Sequence, residues 1–274
     1  GSLLDVSKKI STDTDNNASG SVLSKQPGTA NSTSTESDID LSLVEKIQNK
    51  YCSENVPSSL KIKAFPNQYD TKQIERAGTI LKTTSANDLS KDILSGAYND
   101  SESSLALTML ATLLLEQSKV DPAIQIVTCA AEKYYNRLAM QLLSGWYYSG
   151  SRKYPEYFKK MKLKPVDYDK SYYWVSAIIY SELGENTGFA DAGTGGGYKT
   201  IALLDGLQND PKTTGLTLEK MKEIEVKVRE FVAKKYPIVA TSKNWVYMHS
   251  MQAVQKAMSD NPGDLKLIEQ KNSY

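Results

Sequence analysis

Apolar residues recur along most of the chain at intervals of three and four, the spacing that places them on one face of an α-helix. The clearest case is the stretch AMQLLSGWYYSG, in which Ala139, Leu143 and Tyr147 lie four apart and Gly150 follows. The three apolar side chains share one helix face, and a glycine at this point is typical of a helix end. We therefore predict a helix that ends at Gly150.

A second helix is predicted shortly afterwards, in the stretch VDYDKSYYWVSA. Asp167 is placed to cap its first turn, while Ser171 and Trp174, three residues apart, share its inner face. Two such helices form an antiparallel hairpin. Neither helix can bury its apolar face alone, so the hairpin needs stacked neighbours.

The same spacing predicts helices on both sides of this hairpin. They cover 41–51, a segment capped by Asp70 or Thr71, a segment after Asn87, 105–117, a segment opened by Pro122, and 242–258. No stretch alternates apolar and polar residues as a half-buried strand would. The predicted fold is all-α, with stacked antiparallel helix hairpins that form a short α-solenoid.

One further helix is predicted between a Thr217 cap and Pro237. Its apolar residues line one face, and its Lys and Glu residues cover the other. The apolar set is Leu218, Met221, Ile224, Val228, Phe231 and Val232. Such a one-sided helix is typical of the closing cap of a repeat array.

The central hairpin resembles the Sel-one-like repeat, a relative of the tetratricopeptide repeat. The family pattern A-x3-L-G-x2-Y-x2-G followed by D-x2-K-A-x2-W is matched at Ala139, Leu143, Tyr147, Gly150, Asp167, Lys170 and Trp174. Ser144 replaces the family's glycine and Ser171 its alanine, and the loop after Gly150 is longer than the family's. The resemblance implies a helical repeat protein that binds other proteins.

Composition divides the chain into three parts. Residues 1–40 are rich in Ser, Thr, Asp and Asn and are predicted to be a disordered polar tether, 41–260 a helical repeat domain, and 261–274 a polar tail. Envelope lipoproteins of Gram-negative bacteria resemble this arrangement of tether and folded part. We therefore expect a periplasmic protein, attached to the membrane through an N-terminal lipid anchor upstream of the sequence.

Charge and residue counts exclude several kinds of site. The formal net charge is +1, so nothing global indicates nucleic acid, and a single histidine excludes multi-histidine metal sites. No run of 18 apolar residues exists that would span a membrane. Cys52 and Cys129 could form one disulfide or none.

Three sequence features are candidates for a catalytic or cofactor-binding role. The run Asp191-Ala192-Gly193-Thr194-Gly195-Gly196-Gly197 resembles the first motif of S-adenosylmethionine-dependent methyltransferases, but no buried strand precedes it. Asp167 with Asp169 is better explained by helix capping than by acid–base catalysis. The lone His249 has no recognisable catalytic partners. We predict no catalytic residue, no cofactor and no metal.

The long loop at 151–165 is the most informative departure from a regular repeat, because stacking does not require it. It interleaves cations with aromatic residues, the side chains that often anchor protein interfaces. The predicted partner-binding residues are Arg152, Lys153, Tyr154, Tyr157, Phe158, Lys159, Lys160 and Lys162. A solvated loop that packs its aromatics on the adjacent helix is the alternative.

The leading functional hypothesis is a non-catalytic protein-binding repeat protein of the bacterial envelope. Among proteins of similar build are periplasmic immunity proteins that neutralise phospholipase-type effectors delivered by type VI secretion. One alternative is an envelope scaffold or regulator that recruits several partners. A third is an enzyme that uses the glycine-rich loop 193–197 to bind a cofactor.

Overall fold

The computed structural model describes residues 38–54, 71–98, 102–150, 166–185, 203–204 and 206–241. Within these ranges the α-helices are α1 (Leu41–Ile47), α2 (Thr71–Thr83), α3 (Ala86–Ser95), α4 (Ser103–Glu116), α5 (Val120–Tyr134), α6 (Arg137–Ser149), α7 (Tyr168–Glu185), α8 (Pro211–Thr214) and α9 (Leu218–Ala233). A π-helical turn, Gln48–Cys52, extends α1, and a 3-10 helix, Pro237–Thr241, follows α9. No strand occurs in these ranges.

Most helices pack chiefly against their neighbours in sequence. From α4 to α7 each helix packs on the next, and α7 then packs on α9. Helix α4 also touches α6, two positions along the stack. Because the connections from α4 to α6 are short, successive helices run antiparallel. The predicted all-α architecture of stacked hairpins is confirmed.

Side-chain caps explain where several helices begin. Asn136 caps α6 by accepting the Ala139 N–H at 2.9 Å, and Thr217 caps α9 by accepting the Lys220 N–H at 3.3 Å. The helix predicted after Asn87 begins at Ala86 instead, because Ser85 accepts the Asp88 N–H at 3.1 Å.

Helix α4 is the centre of the N-terminal half. Every residue from Ser103 to Leu115 is buried, and α2, α3, α5 and α6 pack around it. Its two threonines bond within the helix, since Thr108 donates to the Ser104 carbonyl at 2.8 Å and Thr112 to the Thr108 carbonyl at 3.2 Å. The Ser104 hydroxyl accepts from Asn136 Nδ2 at 3.1 Å, a contact with the cap of α6. A helix that is apolar on all sides is typical of a protein interior.

The central hairpin, α6 with α7, is packed as the sequence predicted. Ala139, Leu143, Tyr147 and Trp174 are all buried in one continuous core. The serines that depart from the repeat pattern meet here: the Ser171 hydroxyl donates to the Ser144 carbonyl at 2.8 Å. The serine at 171 therefore adds a buried hydrogen bond between the helices, whereas the Ser144 hydroxyl donates to the Gln141 carbonyl of its own helix at 2.9 Å.

A disulfide joins Cys52 to Cys129 across 77 residues of sequence. It attaches the π-helical turn to α5, and hydrogen bonds surround it: the Tyr134 hydroxyl donates to the Tyr51 carbonyl and Lys133 Nζ to the Ser53 carbonyl at 3.1 Å. The sequence left this pairing open, and the structure resolves it in favour of a bond.

Two positions on α9 differ from the prediction. Leu218 was expected to face inward but is 46% exposed, while Glu225 was expected to face solvent and is fully buried. Leu216, which precedes the Thr217 cap, is buried together with Met221, as in a hydrophobic staple. The staple supplies the apolar contact at the start of α9 and leaves Leu218 on the outer side.

Candidate protein-binding surface

The residues on the two sides of the predicted binding loop, at the end of α6 and just before α7, lie in direct contact. Gly150 has a φ of +48°, and a Cβ there would lie 2.8 Å from both the backbone nitrogen and Cγ2 of Val166. Only glycine fits this approach without displacing Val166. The Asp167 N–H then donates to the Tyr147 carbonyl at 2.9 Å. The two ends of the loop are thus held together by the hairpin itself.

The loop residues lie outside the described part of the chain. These residues are Arg152, Lys153, Tyr154, Tyr157, Phe158, Lys159, Lys160 and Lys162. Their assignment to a partner interface stays a prediction. The glycine-rich run at 191–197 and His249 also lie outside the described residues.

Aromatic side chains and a lysine surround the base of the loop. Lys170 Nζ lies 5.1 Å from the centroid of the buried Tyr147 ring, within cation–π range. The partly exposed rings of Tyr148 and Tyr168 meet edge to face, with centroids 5.8 Å apart. The surface next to the loop therefore has the same mixture of cation and aromatic groups as the loop sequence.

The Asp167 and Asp169 carboxylates both have structural partners. Asp167 accepts the Lys170 N–H at 3.0 Å, which confirms it as the cap of α7. Asp169 pairs with Lys220 of α9 at 2.8 Å, and this hydrogen bond, followed by the Asp169 charge, raises the pKa of Lys220. The pair of carboxylates fixes the start of α7 and its contact with α9.

A buried carboxylate that the sequence analysis did not identify lies between α7 and α9. Glu225 accepts hydrogen bonds from the hydroxyls of Tyr172 at 2.6 Å and Tyr180 at 2.9 Å. The side chain of Gln208 also hydrogen-bonds Tyr172. Burial, together with the Glu225 charge and hydrogen bond, raises the pKa of Tyr172 well above its ordinary value.

This cluster connects α7 to α9 through hydrogen bonds and is not an accessible reaction site. Tyr172, Tyr180 and Glu225 are all fully buried, so no substrate reaches the carboxylate in this structure. A signal for it existed in the sequence. Glu225 follows Met221 by four residues and precedes Val228 by three, which places it on the apolar face, and Tyr172 and Tyr180 lie eight apart on one face of α7.

The described residues offer neither a cluster of metal ligands nor a helix that could cross a membrane. No three His, Cys, Asp or Glu residues among them lie together as metal ligands would. Likewise, among the described helices none combines the length and apolar character needed to span a bilayer.

No protein-family model, curated protein or solved structure matches this chain. Assignment of the chain to a function therefore depends on the residues and contacts described above.

Proposed function

We propose that this chain is a non-catalytic protein-binding protein of the bacterial envelope, built from Sel-one-like helix hairpins, with the 151–165 loop as its main contact. The contact between the two ends of that loop is the observation that supports the proposal. Gly150 against Val166 and the Asp167–Tyr147 hydrogen bond complete the hairpin without the loop. The loop, whose sequence is rich in lysine and tyrosine, is the segment that we assign to the partner.

The disulfide supports the envelope location. Bonds of this kind form and persist in oxidising compartments, such as the bacterial periplasm, and are rare in the cytosol. Cys129 is buried and Cys52 partly buried, and the bond between them secures the π-helical turn after α1 to α5. The proposed polar tether at residues 1–40 would connect this domain to a lipid anchor in the membrane.

The specific role that we propose is an immunity protein, which binds a secreted phospholipase-type effector and inhibits it. The support is the resemblance of the central hairpin to Sel-one-like units, joined to a polar N-terminal segment. A cationic and aromatic loop fits an acidic surface on such an effector. Inhibition by binding alone requires no catalytic group of this chain.

The test is a calorimetric titration of the purified chain with the protein encoded by the neighbouring gene, with phospholipase activity measured in parallel. We expect a tight one-to-one complex and loss of phospholipase activity at equal concentrations. A chain whose 151–165 loop is replaced by a short glycine linker should bind roughly thirty-fold more weakly or worse, the loss expected for a central aromatic anchor.

Three results would contradict parts of this proposal. Several weaker partners in place of one tight partner would favour a scaffold. Micromolar binding of S-adenosylmethionine or a nucleotide would favour an enzyme. Unchanged affinity after loop replacement, with unchanged helical circular dichroism, would place the contact elsewhere on the molecule.

A further inference from the structure

A second group of aromatic residues lies on the surface where α5, α7 and α9 meet. Tyr135 stacks on Phe231, with ring centroids 4.9 Å apart and an angle of 10° between the planes. Tyr173 lies next to them, 6.2 Å from Phe231. All three rings are partly exposed, and the buried ring of Trp174 lies against Tyr173 and Phe231. We refer to Tyr135, Tyr173 and Phe231 as the aromatic patch.

Tyr135 has an unusual backbone conformation. Its φ is +52°, in the left-handed region, which bulky side chains rarely adopt. The residue closes the C-terminus of α5, and its hydroxyl donates to the Phe231 carbonyl at 3.4 Å. Strained backbone conformations cluster at functional sites, although here the stack on Phe231 also stabilises the Tyr135 conformation.

Lysines surround the patch on α9. Lys227 precedes Phe231 by four residues on the same face of α9, and Lys234 and Lys235 follow Phe231 in the turn that ends the helix. Lys235 Nζ lies 5.4 Å from the Tyr135 centroid. Glu230 lies three residues after Lys227 and four before Lys234, within reach of both, and offsets part of their charge.

A second carboxylate, Glu132, borders the patch on the last turn of α5. Burial raises the pKa of Glu132, although the charges of Lys133 and Lys234 oppose this effect. The same Glu132 charge is a secondary reason, after burial, for the rise of the Tyr173 pKa to about 12. Lys227, Lys234 and Lys235 outnumber Glu132 and Glu230, so the patch and its border carry a cationic surplus that favours an anionic ligand.

We propose that the aromatic patch and its lysines bind an acidic segment of a partner protein that carries apolar side chains between its carboxylates. The aromatic rings offer contact area at low cost in conformational entropy, and the lysines pair with the carboxylates. This inference rests on the proposed function only in taking the ligand to be a protein. It requires neither the 151–165 loop nor inhibition of an enzyme.

The experiment is a nuclear magnetic resonance titration of the whole chain with a short peptide in which glutamate and leucine alternate. We expect saturable shifts of the amides of Tyr135, Tyr173 and Phe231 that weaken as salt is added. Lys227→Glu with Lys234→Glu should weaken binding about tenfold or more, because like charges then face each other. The matched control is Lys46→Glu with Lys82→Glu, two exposed lysines on α1 and α2, which should leave binding unchanged.

The outcomes separate this inference from the proposed function. Shifts confined to other residues, or equal losses in both double variants, would overturn the patch. Tighter binding of a single-stranded oligonucleotide than of the peptide would overturn its assignment to a protein ligand. If the peptide binds at the patch while the neighbouring gene product does not bind the chain, the patch stands and the proposed function fails. If loop replacement abolishes binding of the neighbouring gene product but no peptide binds, the proposed function stands and the patch fails.

Discussion

Helix α4 in the N-terminal half and helix α7 in the C-terminal half are both buried along most of their length, but by different side chains. Helix α4 presents leucine, alanine and methionine all round, with threonines bonded to their own helix. Helix α7 presents tyrosines whose hydroxyls need an acceptor on another helix, and Glu225 supplies it. Apolar burial has no direction, whereas these hydrogen bonds fix how α9 lies against α7.

The same division separates the surfaces proposed to bind partners from the rest. The N-terminal half, α1 to α5, contains the apolar centre and the disulfide. The C-terminal half, α6 to α9, contains the base of the 151–165 loop and two of the three rings of the aromatic patch, with Tyr135 at the junction. We infer that the first half serves mainly stability and the second half recognition, and the predictions below test that contrast.

The largest effect is expected from removing the disulfide in the N-terminal half. Cys52→Ala with Cys129→Ala opens a loop of 77 residues, and chain entropy predicts a loss of about 4 kcal/mol in the free energy of unfolding. Urea denaturation measures it, and the oxidised wild type treated with a thiol reductant should show the same loss. A loss under about 1 kcal/mol would mean that the N-terminal helix is held without the bond.

In the C-terminal half the largest polar contribution should come from Glu225. Glu225→Ala deprives two buried tyrosine hydroxyls of their acceptor, at about 1–3 kcal/mol each, so we expect a loss of about 3 kcal/mol. Glu223→Ala, on the exposed side of the same helix, should change stability by less than about 0.5 kcal/mol. Similar losses in the two variants, measured by urea denaturation, would show that the cluster does not stabilise the α7–α9 contact.

Smaller effects, opposite in sign to each other, are expected at two turns. Ser118 and Tyr135 both have positive φ, of 61° and 52°. Ser118→Gly removes strain at an exposed site between α4 and α5 and should stabilise the chain by about 0.5–1 kcal/mol. Tyr135→Gly relieves the same strain but removes the stack on Phe231, and should cost about 1 kcal/mol net. Thermal denaturation distinguishes them, and stabilisation by both would mean that the Tyr135 stack contributes little.

Local signals in the sequence predicted most helix positions. The Thr217 cap, the end at Gly150 and the buried positions Ala139, Leu143 and Tyr147 depend on residues within a few positions of each other, so spacing was enough. The helix start was misplaced by a short distance because both Ser85 and Asn87 are residues that can cap a helix. Ser85 forms the cap, whereas the Asn87 side chain accepts the Asp40 N–H at 2.8 Å, a contact that local sequence does not reveal.

The contacts that decide the candidate sites are long-range, and spacing alone did not reveal them. Glu225 was assigned to solvent because of its charge, although its register is apolar, and the tyrosines that accommodate it lie 45 and 53 residues away. The aromatic patch joins three segments that no local pattern connects. Pairing of Cys52 with Cys129 likewise depends on how α1 packs on α5.

The most direct test of recognition by the C-terminal half is the binding kinetics of the neighbouring gene product with charge-reversed and truncated variants. Lys159→Glu with Lys160→Glu should slow association and weaken its salt dependence, while Tyr157→Ala with Phe158→Ala should speed dissociation by roughly thirty-fold. Lys46→Glu with Lys82→Glu, in the N-terminal half, should change neither rate by more than about twofold, because the exchanged charges lie outside the interface. Equal slowing by both charge reversals, or an unchanged dissociation rate without Tyr157 and Phe158, would contradict the account.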